Sequence, residues 1–130
     1  MTPRTRDRAT VVLVEDDASV RRSLTLLLDV EGFAVESFSS AKELLGGCNP
    51  PRPACMLLDV RLPGMSGVEL YQALVADGRS LPVVFLTGHG PPELSEALRH
   101  GVVRMLEKPC DPDVLLEAIR EAIAQDDRGR

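Results

Sequence analysis

Apolar positions along this chain gather into five short runs, separated by stretches with helical spacing. Thr10-Val11-Val12-Leu13-Val14 and Cys55-Met56-Leu57-Leu58 are nearly or wholly unbroken, as expected of strands buried on both faces of a parallel sheet. Leu81-Pro82-Val83-Val84-Phe85-Leu86 is a third such run, with proline at its start, where no ladder donor is needed. Phe33-Ala34-Val35-Glu36-Ser37-Phe38 alternates in part, and Val102 to Leu106 completes the set. Between the first two strands, Val20, Leu24, Leu27 and Leu28 fall on one helical stripe that Gly32 ends. Ser40 is placed to cap a short helix from Ala41 to Leu45, closed by Gly46-Gly47. Ser66 caps a third helix bearing Val68, Leu70, Tyr71, Leu74 and Val75, ending near Asp77-Gly78. Pro91-Pro92 opens a fourth, with Leu94, Ala97 and Leu98 before Gly101. Asp111 starts a fifth, with Val114, Leu115, Ala118, Ile119, Ala122 and Ile123 apolar.

Strands alternating with helices predict an α/β fold: a parallel sheet with helices on both faces, joined by right-handed crossovers. For five βα units the natural arrangement is a flavodoxin-like three-layer sandwich with strand order 2-1-3-4-5. One domain is expected over residues 10–124, preceded by a frayed polar arm at 1–9 and followed at 125–130 by a tail or the start of a linker. In such a sheet, ligands bind outside the carboxyl ends of the strands. Glu15 and Asp16 follow the first strand, Asp59 ends the third, and Thr87 and Lys108 end the fourth and fifth. Strands 1 and 3 are neighbours in this order, so the topology brings all five residues to one rim.

Composition narrows the class. The chain is 44% hydrophobic but 3% aromatic with no Trp, so its core must be aliphatic. A net charge of -5 argues against nonspecific affinity for nucleic acid or anionic membranes. The sequence has no run the length of a membrane span, and its basic N-terminus lacks the apolar stretch of a signal peptide. Cys48, Cys55 and Cys110 are odd in number and without CxxC spacing, which fits reduced thiols in a cytoplasmic protein.

Three carboxylates, a hydroxyl and an ammonium are a coherent chemical set. Singly, an Asp is a cap, a Thr a strand end and a Lys a surface charge; Asp17 is accepted as the cap of the first helix. Crowded carboxylates repel unless a cation joins them. Mg2+ takes oxygen ligands, commonly one or two carboxylates with phosphate oxygens, whereas zinc favours His and Cys. An Asp is also a competent nucleophile towards phosphorus, with Mg2+ and Lys neutralising the transferring oxygens. A Mg2+-dependent phosphohydrolase is one rival reading. Its nucleophile would be expected on the first strand with a second Asp two residues on, a spacing that Glu15-Asp16-Asp17 lacks.

The motifs Val14-Glu15-Asp16-Asp17, Leu58-Asp59-Val60-Arg61-Leu62-Pro63-Gly64-Met65-Ser66-Gly67, Leu86-Thr87-Gly88-His89-Gly90 and Glu107-Lys108-Pro109 resemble those of the receiver domains of bacterial two-component response regulators. The last two are most similar to the FixJ-like branch. The resemblance implies that Asp59 is the phosphoacceptor, charged by a histidine kinase or phosphotransfer protein in a Mg2+-dependent reaction. It makes Asp16 a direct Mg2+ ligand, Glu15 a ligand through water, and the backbone carbonyl of Arg61 a further ligand beside Asp59. Lys108 would pair with the phosphoryl group, Thr87 would move towards it, and the bond before Pro109 would be cis. Such domains catalyse only their own phosphorylation and slow dephosphorylation. The branch usually carries a transcriptional effector beyond its receiver, so no direct nucleic-acid contact is expected of this chain. A homodimer would form through the fourth helix, fifth strand and fifth helix. Departures fall on that face. Met105 stands where the family has a switching aromatic, the stretch from Thr87 to Lys108 is one residue short, Pro91-Pro92 replaces an acidic helix start, and Cys110 replaces a common Phe. A stand-alone receiver, or a degenerate one serving as an interaction module, are the alternatives this leaves.

Overall fold

The computed structural model describes residues 8–88 and 99–129. The elements run β1 (Thr10–Val14), α1 (Ala18–Val30), β2 (Ala34–Phe38), α2 (Ala41–Leu45), β3 (Ala54–Asp59), α3 (Gly67–Ala76), β4 (Val83–Thr87), β5 (Val102–Glu107) and a C-terminal helix, α4 (Pro112–Arg128). All strand pairs are parallel and the order is β2-β1-β3-β4-β5, as expected from the alternating pattern. The helix expected after Pro91-Pro92 lies, with His89, outside the described residues up to Leu98. Among the described residues, no helix is long and apolar enough to cross a membrane.

The unbroken apolar runs are the three central strands. Every residue of β1, β3 and β4 is buried, whereas the edge strands β2 and β5 are mostly half-exposed and tolerate polar positions. Strand side chains alternate between faces, so odd and even positions build separate cores. Val11, Leu13, Cys55, Leu57, Val84 and Leu86 pack under α1 and α4. Val12, Val14, Met56, Leu58, Val83 and Phe85 pack under α2 and α3. On the second face Tyr71 meets Phe85 edge-on, with ring centroids 6.0 Å apart. The register places Val14 beside Leu58, Asp59 beside Leu86, and Thr87 beside Glu107. The strands therefore finish almost level, and the residues at their carboxyl ends share one rim.

Four boundaries differ from the sequence expectation. Val20 is 38% exposed because the first turn of α1 is capped by Asp17 rather than packed; the buried stripe begins at Leu24. Strand β4 starts at Val83, since Pro82 contributes only its carbonyl, which accepts from Met56 N at 2.9 Å. The N-terminal arm is tied down from Arg8 onward: its guanidinium donates to the Gly32 carbonyl at 3.1 Å and to Asp29 at 3.0 Å, and the Ala9 carbonyl accepts from Ala34 N. The expected tail is in fact the last turn of α4. Asp126 is buried there and accepts from Ala54 N at 2.8 Å and from both forks of the Arg52 guanidinium. A carboxylate satisfied by a backbone N–H and a bidentate Arg can be buried, and it carries the helix past its apolar stripe.

Candidate functional site

Each strand end contributes one piece of the rim. Leaving β1, the chain turns so that Glu15 is 2% exposed while Asp16 stays in solvent. Glu15 accepts from Asp17 N at 3.1 Å, and Asp17 in turn caps α1 by accepting from Ser19 N and Val20 N. At the end of β3, Asp59 is 7% exposed; its Oδ1 accepts from Arg61 N at 3.0 Å. From the far side, Lys108 Nζ reaches both buried carboxylates, Asp59 Oδ2 at 2.6 Å and Glu15 Oε1 at 3.1 Å. The backbone N of Lys108 donates to the Thr87 carbonyl at 2.8 Å, so β4 and β5 are locked together where their site residues project. Thr87 is itself buried, and the Lys108–Pro109 bond is cis.

The β3–α3 loop has little freedom. Val60 N donates to Leu86 O and Gly67 N to Val60 O, both at 2.9 Å. A Cβ on Gly67 would stand 2.1 Å from the Asp59 carbonyl oxygen and 3.2 Å from Val60 Cα, so only glycine allows the helix to start against the strand end. Ser66 and Glu69, on either side of Gly67, close a reciprocal capping box on α3. Gly64, at φ +79°, supplies the left-handed turn between the end of β3 and that cap.

Charge at the rim is unbalanced. Burial raises the Glu15 pKa above its ordinary value, and the hydrogen bonds from Asp17 and Lys108 do not cancel the effect. For Lys108, partial burial works against the ammonium, but its bonds to Asp59 and Glu15 prevail and the pKa is raised. Oxygens of Glu15, Asp16 and Asp59 lie within 4.8 Å of one another. One lysine facing three close carboxylates leaves net negative charge in an all-oxygen donor set, which suits a hard divalent cation such as Mg2+. Met105 lies on β5 beside Phe85, partly buried against the α3 side of the sheet. Sequence reading missed Arg21, whose Nη1 donates to the Glu15 carbonyl at 2.8 Å and the Asp16 carbonyl at 3.5 Å. Those partners are backbone atoms, so no residue pattern signals them.

The profile of the response regulator receiver domain family matches residues 11–120. The chain belongs to that family. Nodulation protein W of Bradyrhizobium diazoefficiens is 41% identical over 95% of this chain and 55% of its own length. The transcriptional regulatory protein FixJ of the same organism is 39% identical over 88% of the chain and 57% of that protein. The receiver thus spans little more than half of these relatives. Among solved structures, the response regulator StyR superposes with a TM-score of 0.87 at 40% identity, covering 95% of this chain and 63% of that one. The N-terminal part of FixJ superposes at 0.78 and 38%, covering 89% and 94%. The doubly wound sheet of order 2-1-3-4-5 is the fold these receivers share.

Proposed function

We propose that this receiver accepts a phosphoryl group on Asp59 from a histidine kinase or phosphotransfer protein, and relays it as a conformational switch to a transcriptional effector. The observation that carries this reading is the Lys108 bridge: one ammonium holds Asp59 Oδ2 at 2.6 Å beside two further carboxylates at the rim. Asp59 Oδ1 is occupied by the Arg61 N–H, which orients the carboxyl group. In the transfer, an Asp59 oxygen attacks phosphorus as the P–N bond of the donor phosphohistidine breaks, and the imidazole nitrogen leaves with the electron pair. Lys108 stays with the charge that moves onto the phosphoryl oxygens. A Mg2+ ion held by Asp59, Asp16, the Arg61 carbonyl and, through water, Glu15 would neutralise the oxygens of the transferring group. Thr87 donates its hydroxyl to a phosphoryl oxygen once the adduct forms, and that shift is the start of the switch. The domain acts on itself alone, catalysing its own phosphorylation and slow dephosphorylation.

Output runs through β5 and α4, together with the helix that the sequence predicts after Pro91-Pro92, and here Met105 stands where the family has an aromatic. An unbranched thioether side chain fills a vacated space in several poses, so it couples the Thr87 shift to that face less sharply than a ring would. The test of the reading is intact-mass measurement after incubation with acetyl phosphate. Native protein is expected to gain one phosphoryl group with Mg2+ and none in EDTA, and Asp59→Asn to gain none in either. Equal labelling of Asp59→Asn would remove Asp59 from its role.

A further inference from the structure

Arg21 stands in the second turn of α1, yet its guanidinium turns back to the loop that carries Glu15 and Asp16. Its Nη1 binds the carbonyl of Glu15 at 2.8 Å and approaches that of Asp16 at 3.5 Å. With acids crowded at this rim, a cation would ordinarily pair with a carboxylate. Among the described residues, however, none comes within ion-pair distance of Arg21; the carboxylates of Glu15 and Asp59 are bridged by Lys108 instead. The guanidinium thus holds the loop by its backbone, from the helix side, and draws no acidic side chain away from the rim. The loop is also tied by the Glu15 N–H to the Phe38 carbonyl at 3.1 Å, the Asp17 N–H to the Glu15 side chain, Lys108 on the Glu15 carboxylate, the Asp17 cap on the Ser19 and Val20 N–H groups, and the Arg21 N–H on the Asp17 carbonyl. None of these bonds holds the Glu15 or Asp16 carbonyl, the two that flank the Asp16 side chain.

We infer that Arg21 is a positioning residue for divalent-cation binding: it fixes the β1–α1 loop so that Glu15 and Asp16 are presented together with Asp59. This rests on the reading of the rim as a Mg2+ site. The sign of the effect makes it testable. Removing a nearby positive charge should, by Coulomb's law alone, tighten binding of a cation. Loss of positioning should weaken it; groups that orient metal ligands typically matter about 10–100-fold in affinity.

The experiment is isothermal titration calorimetry with MgCl2 on native protein, Arg21→Met and Arg21→Lys, with thermal melts of each in EDTA. Arg21→Met is expected to bind Mg2+ about tenfold more weakly, at the low end of that range. Arg21→Lys, which keeps the charge but not the planar fork, should fall between the two. The melting temperatures in EDTA should differ little, because the bond acts on the loop and not on either core. Mg2+ affinity unchanged or tightened in Arg21→Met would overturn the role while leaving the Mg2+ site standing. If Arg21→Met does not fold, Arg21→Lys decides alone, and native affinity in that variant overturns the inference. Native protein that binds no Mg2+ would overturn both this role and the reading beneath it.

Discussion

Glu15 is the residue at which the cost of the site is most visible. A carboxylate 2% exposed, with its pKa raised by burial, binds its proton more tightly in the folded chain than in the unfolded one. Its contribution to stability is therefore present at pH below its ordinary value of 4.5 and lost as pH rises through the raised folded value. Lys108, with a pKa raised from 10.5, keeps its charge throughout that window and adds no slope. Metal-free native protein should accordingly lose stability relative to Glu15→Gln as pH climbs from 4.5 towards neutrality. Urea midpoints of the pair in EDTA at several pH values check this; a difference shrinking with pH would contradict it. Residues of this kind were legible because Glu15, Asp16, Asp59, Thr87 and Lys108 each follow an apolar run and inherit their place from the topology. Arg21 was not, since its partners are peptide carbonyls.

Among the elements, the central strands were read nearly to the residue, because burial on both faces leaves no polar position to blur them. The C-terminal helix was read short because its last turn is held by a polar contact, not an apolar one. Asp126 lies 74 residues from Arg52 in sequence, and no local pattern joins them. Asp126→Ala leaves the Ala54 N–H buried without its acceptor, which should cost about 1–3 kcal/mol in chemical denaturation. A loss below a few tenths would mean that the helix end is not anchored there. A second contact between elements depends on Gly101 at the entry to β5. A Cβ there would meet the Tyr71 hydroxyl at 1.8 Å and its ring carbon at 3.1 Å. Gly101→Ala should destabilise by about 1–3 kcal/mol through overpacking, and adding Tyr71→Phe should recover part of that. Additive losses in the double variant would show that the hydroxyl is not what the methyl strikes.

At the scale of the whole molecule, one sheet couples the site to everything else. Its odd and even positions feed two separate cores, and the rim residues sit where the central strands leave both. A switch must convert a local pull at this rim into a change of face, and full reversal of a two-state balance takes ~5.5 kcal/mol of differential interaction. With Met105 in place of a ring, a dimer formed through β5, α4 and the helix predicted after Pro91-Pro92 should depend only modestly on the phosphoryl state. Met105→Tyr should sharpen that dependence, as sedimentation equilibrium with and without beryllofluoride would show. A native protein already passing from monomer to tight dimer, with Met105→Tyr adding nothing, would refute the argument. All of this presumes that the acyl phosphate forms on the residue Lys108 holds. The most direct measurement is therefore chemical trapping: incubate native protein with Mg2+ and acetyl phosphate, reduce with borohydride, and sequence the peptides. An acyl phosphate is reduced to the alcohol, so homoserine is expected at position 59 and at no other acidic residue; homoserine at Asp16, or 5-hydroxynorvaline at Glu15, with Asp59 intact would contradict the account.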